Sequence, residues 1–143
     1  MPLRARSLVW IGWLVATLAL PAFALERTPA PAGVKLYVIA PRDGETVTSP
    51  VSVRFGLSGM GVAPAGVAFE ATGHHHLIVD APLPPVDQPI PNDAQHLHFG
   101  KGQTETSLSL APGSHTLQLL LGDLNHVPHD PPVVSERITI TVK

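Results

Sequence analysis

Cysteine is absent from the 143 residues. Disulfides therefore contribute nothing to stability, and any metal site must be built from imidazole, thioether, carboxylate or backbone groups. A thiol nucleophile is excluded on the same ground, and neither a phosphate-cradling glycine loop nor a G-x-S-x-G elbow occurs. Helical periodicity is missing too. Tryptophan occurs only at positions 10 and 13, and Met60 is the sole methionine after Met1.

Those first residues have a pattern of their own. Arg4 and Arg6 precede an uncharged apolar run from Leu8 to Leu20, and Ala22-Phe23-Ala24 supplies a small-x-small cleavage site. This predicts a secretory signal over residues 1–24, a mature start at Leu25 and a periplasmic location, with no membrane insertion after cleavage. An uncleaved anchor is the alternative, against which Pro21 and the cleavage site both count.

Positive charge is scarce in what remains. The segment takes two arginines and no acid with it, so nine basic residues fall to seven against eleven acidic, a net of −4. Nucleic acid is not an expected partner of such a surface. About 119 residues are left, enough for one self-sufficient core.

Residues 25–33, LERTPAPAG, read as a disordered Pro/Ala leader, and the folded domain is expected over 34–143. Val51, Val53, Phe55 and Leu57 alternate with Ser52, Arg54 and Gly56, and Ile138, Ile140 and Val142 alternate with threonines. That is period-two patterning over one buried face. Weaker runs at Lys35–Ile39, His75–Asp80, Gln95–Phe99, Thr104–Leu110 and Thr116–Leu121 bring the count to about seven strands. The expected fold is all-β, an immunoglobulin-like antiparallel sandwich. If successive strands run antiparallel, three histidine-bearing segments meet at one end, while His115 falls at the other.

The first of these segments is Gly73-His74-His75-His76, in which His74 and His76 share a face and His75 looks the other way. The second is His96-Leu97-His98, two imidazoles on one face about 7 Å apart along the backbone, with Leu97 and Phe99 aimed at the core. The third, Asp123 to Pro132, is a proline-stiffened loop that carries His126, His129, Asp123 and Asp130. Each has an unremarkable reading as well: a polar strand start, an outward polar pair, a rigid connector with Asx turns.

Taken together they predict a metal site. Its candidate ligands are His74, His76, His96, His98, His126 and His129, with Asp123, Asp130 and His75 as orienting neighbours. Met60, held between Gly59 and Gly61, is either a soft ligand or an apolar plug. Imidazoles beside a thioether suit copper, Cu(I) or Cu(II); zinc is the other metal the set accepts.

The blocks PRDGETVTSPVSVRFGLSGMGVAPAG, TGHHHLIVD, PIPNDAQHLHFGKGQTET and PGSHTLQLLLGDLNHVPHDPPVVSERITITV resemble a bacterial exported family, domain of unknown function 4399. The resemblance spans roughly Lys35 to Lys143 and implies an exported β domain. More loosely, the design is similar to the periplasmic copper-resistance proteins, small sandwiches with His and Met ligands. The AQHLHFG strand faintly resembles the His-x-His strand of copper-zinc superoxide dismutases, but their disulfide cysteines and longer metal loop are absent.

The expected function is a non-enzymatic periplasmic metal-binding protein that buffers copper or passes it to another metal-handling protein. The alternatives are an interaction module with a structural histidine network, and a dismutase-like redox enzyme.

Overall fold

The structure is a computed structural model and describes residues 26–143; the expected signal segment, 1–24, lies outside them. Among the described residues there are nine strands and no helix: β1 Lys35–Ala40, β2 Thr46–Val47, β3 Val51–Ser58, β4 Gly61–Val62, β5 Thr72–Val79, β6 His96–His98, β7 Glu105–Leu108, β8 Gly113–Gly122 and β9 Ile138–Val142. They form two packed sheets. One is β1-β3-β7; the other runs β2-β9-β8-β5-β4, with β6 also paired to β5.

All seven runs read from the alternation are strands. The two additions, β2 and β4, are two-residue strands that pair parallel with β9 and β5, so the wiring is not wholly antiparallel. Their brevity left no periodicity to read.

The core lies between the sheets. Val51, Val53 and Phe55 of β3 meet Leu77, Val79, Leu117, Leu119, Leu121, Ile138, Ile140 and Val142 of the larger sheet, with Leu36 and Phe99 alongside. Leu97 packs against this core and Phe99 belongs to it, as their place in the HxH strand predicts.

β5 is buried on both faces for nearly its whole length. Its inner face packs on the smaller sheet. Over its outer face folds a proline-rich strap, Ala81 to Ala94, whose Ile90 joins Ile78, Ala81 and Leu120 in a second apolar cluster. A strap with prolines at 82, 84, 85, 89 and 91 has few amides to donate. It is pinned by Arg137 to the Ala81 carbonyl (3.1 Å), by the Gln95 side chain to the Asp80 carbonyl (2.9 Å) and by the Ile90 amide to the His126 carbonyl (2.8 Å).

Within the stretch expected to be a disordered leader, Arg27 to Ala30 are instead docked. The Asp130 amide donates to the Thr28 carbonyl and the Ala30 amide to the Asp130 carbonyl, both at 2.9 Å. Arg27 adds an ion pair to Asp130 (3.2 Å) and hydrogen bonds to the carbonyls of Pro128 and His129. Pro/Ala composition argues for a flexible tether only where nothing else binds the backbone, and here the 128–130 loop does so.

Candidate metal centre

His74 and His76 alternate with the inward-facing His75 and Leu77, so both rings stand on the outer face of the larger sheet. Antiparallel pairing of β5 with β6 sets His76 opposite His98 on that same face. The loop after β8 brings in His126, whose backbone has φ 67°, a left-handed conformation uncommon for a residue with a side chain. Four imidazoles thus meet. Ring centres are 4.8 Å apart for His74 and His76, 5.1 Å for His76 and His98, 5.0 Å for His74 and His98, and 5.0 and 4.8 Å from His126 to His74 and His98.

Glycines make the room. A Cβ on Gly122 would stand 2.7 Å from Cε1 of His76, and one on Gly100 would overlap the His98 ring. Neither glycine was singled out in the sequence, although a glycine ending an apolar strand is a signal of close approach. Ile90, which sequence patterning does not mark, stands with His76 beside Gly122 on the outer face.

One ring nitrogen from each of His74, His76 and His98 can be chosen so that all lie within 4.8 Å of one another. An ion central to a triangle of 4.8 Å sides is about 2.8 Å from each corner, and metal–imidazole bonds are about 2.0–2.1 Å, so each ring must close by about 0.7 Å.

The polar accounting is unusual. His74 and His76 are each only 1% exposed, and both nitrogens of His74, Nδ1 of His76 and Nε2 of His98 are sealed from solvent without a hydrogen-bond partner, as are both nitrogens of His75 and Nδ1 of His129 outside the cluster. Native interiors leave only a few such atoms per hundred residues, and each costs about 1–3 kcal/mol.

Burial, above all, holds His74 down to about 4, with His126, His98 and His75 adding to the effect and the Asp123 carboxylate opposing it. His76 is lowered further still by burial and then by its three ring neighbours; His98 is lowered by burial and by His126. Neutral imidazoles with free lone pairs are the form in which histidine binds metal.

The remaining predicted site residues lie elsewhere. His96 shares the outer face but its Nδ1 pairs with Asp93 (2.9 Å), outside the cluster of four. His129 is turned inward over Gly73, and its Nε2 donates to the Thr72 carbonyl at 3.2 Å. Met60 packs against the core as an apolar plug, which removes the soft ligand from the proposed set.

Neither predicted orienting carboxylate bonds an imidazole. Asp123 accepts the amides of Asn125 and Val127 (2.8 and 3.0 Å) and the Thr28 hydroxyl (2.7 Å), so it shapes the loop that presents His126. Asp130 pairs with Arg27. His75 is in the core, 5.2 Å from the Phe55 ring, and is lowered to about 4 by burial, which the Gln103 backbone only partly offsets. His115 is on a separate part of the molecule, its Nδ1 on Asp80 (2.7 Å) and its Nε2 on the Ala111 carbonyl (2.8 Å). The structure thus brings His74, His76, His98 and His126 together by their ring centres, while the group whose nitrogens all lie within 4.8 Å is His74, His76 and His98. Their meeting place is the outer face of a sheet rather than the end loops of the sandwich.

No curated protein and no solved structure matches the chain. One family model does, over residues 53–143, and that stretch contains all four converging histidines together with Gly100, Gly122 and the strap. The chain belongs to the family described as domain of unknown function DUF4399.

Proposed function

We propose that this domain holds a single late transition-metal ion, bound by His74, His76 and His98 with His126 as the fourth donor, and that it serves as a metal buffer or carrier. The observation that carries the reading is the convergence of His74, His76 and His98, one ring nitrogen of each within 4.8 Å of the others, on rings whose buried nitrogens lack hydrogen-bond partners. A bound ion turns each from a cost into a bond. Unpartnered nitrogens occur outside the cluster too, two on His75 and one on His129, so what singles out the site is the convergence of three such rings within reach of one ion.

An all-imidazole set of neutral rings suits Cu(II), and then Zn(II), in the affinity order of the late divalent ions. With Met60 packed against the core, nothing in the set favours Cu(I) over Cu(II). His74 and His76 are deeply buried, whereas His98 and His126 are half-buried. Such a site fits holding and release better than turnover of a substrate. The signal-like segment at residues 1–24 supports a periplasmic setting, where a carrier would meet other metal-handling proteins.

The test is native mass spectrometry of protein recovered from the periplasm without added metal. One copper or zinc per chain, lost in His74→Ala and His76→Ala and kept in His115→Ala, is the expected result. Protein that stays metal-free after incubation with either ion would end the proposal.

A further inference from the structure

Deeply buried ligands raise the question of how an ion reaches them. His96 is the next imidazole outward on the same face, two residues from His98 along β6 and opposite Ile78. Its Nδ1 is held by Asp93 Oδ1 at 2.9 Å, and that oxygen is itself fixed by the amides of Gln95 (2.8 Å) and His96 (2.9 Å).

With a proton on Nδ1 donated to the carboxylate, the lone pair of the ring is on Nε2. That atom makes no hydrogen bond among the described residues, and it is not one of the nitrogens sealed from solvent. Carboxylate-to-histidine orientation of this kind is how metal-ligating imidazoles are commonly held.

The other His–Asp pair sharpens the point. His115 also has its Nδ1 on a carboxylate, but its Nε2 is occupied by the Ala111 carbonyl, so it has no donor to offer. Among the described residues, His96 alone combines an anchored ring, a ring nitrogen neither hydrogen-bonded nor sealed from solvent, and a place on the outer face two residues from His98.

Resting on the metal-holding reading above, we propose that His96 is a transfer ligand. It takes Cu(II) or Zn(II) from a small chelate or a donor protein at the surface and passes it to His98 and the buried pair. The exchange breaks one metal–nitrogen bond as the next forms, with no change of oxidation state. Asp93 is the positioning residue that keeps Nε2 aimed outward.

The experiment is stopped-flow transfer of Cu(II) from nitrilotriacetate to the metal-free protein, with equilibrium affinity measured in parallel by competition. His96→Ala and His96→Gln should each slow transfer by roughly tenfold, the scale at which ligand-supporting groups act. Asp93→Asn should slow it less, and all three should leave the equilibrium affinity within about a factor of two, since Nε2 is outside the final ligand set. His115→Ala should change neither. Wild-type rates in both His96 variants would overturn the proposal, and so would an affinity loss as large as the rate loss, which would make His96 a resident ligand. If wild-type protein takes up no copper at all, the metal-holding reading itself has failed.

Discussion

Replacing His74 with leucine in the metal-free protein separates a binding site from a structural network, because the two give opposite signs. His74 is 1% exposed, and neither ring nitrogen has a hydrogen-bond partner. Each unsatisfied buried polar group costs about 1–3 kcal/mol. Leucine has a similar volume, so little cavity or overpacking offsets the gain, and volume-conserving exchanges usually cost under about 1.5 kcal/mol. The balance predicts that His74→Leu stabilises the metal-free domain by about 1–3 kcal/mol, with a melting temperature higher by about 3–6 °C per kcal/mol at this size. Urea unfolding at unchanged m-value is the assay. Added Cu(II) at a hundred times its Kd should stabilise wild type by a further 2.7 kcal/mol or so and leave the variant unmoved. A variant less stable than wild type by 1 kcal/mol or more would refute the reasoning, since it would mean that the imidazole makes native hydrogen bonds.

Gly122→Ala should displace the His76 ring, because the added Cβ would lie 2.7 Å from Cε1, and metal affinity should fall by about tenfold or more in the competition titration. Asp123→Ala removes the acceptor for two loop amides and the Thr28 hydroxyl; urea unfolding should report a loss of about 2–3 kcal/mol, and metal affinity should drop as His126 loses its fixed backbone. Acid should unfold the metal-free protein early. His74 and His75 are each lowered from 6.5 to about 4 in the folded state, so between pH 6.5 and 4 the unfolded chain binds more protons, and stability falls as pH falls. At pH 5 each ring costs about 2 kcal/mol relative to pH 7.5, and circular dichroism in urea at the two pH values checks it. Equal stability at both would mean that the rings are not buried as neutral imidazoles.

The fold was largely legible because period-two alternation fixes both strand and face. It placed His74 with His76 and set Leu97 and Phe99 inward, and the structure agrees. Alternation says nothing of what folds over an outward face. The strap over β5 is a proline-rich stretch with no periodicity, and Ile90 shows its role only once seated against Leu120 and Ile78.

Loop carboxylates were equally opaque. Asp123 could have met an imidazole or its own loop amides, and the short Asx-type closure to Asn125 and Val127 prevailed because it needs no distant partner. His129 and His126 differ by three residues yet end on opposite sides of the sheet, a turn that sequence spacing does not encode.

The central claim is that His74, His76, His98 and His126 ligate one ion together, and Cu(II) electron paramagnetic resonance on protein labelled with ¹⁵N-histidine tests it most directly. One equivalent of Cu(II) should show coupling to at least three imidazole nitrogens that change on labelling. His126→Ala should remove one, and His115→Ala none. Coupling to fewer than three histidine nitrogens in wild type, or a spectrum indifferent to His74→Leu, would contradict the account.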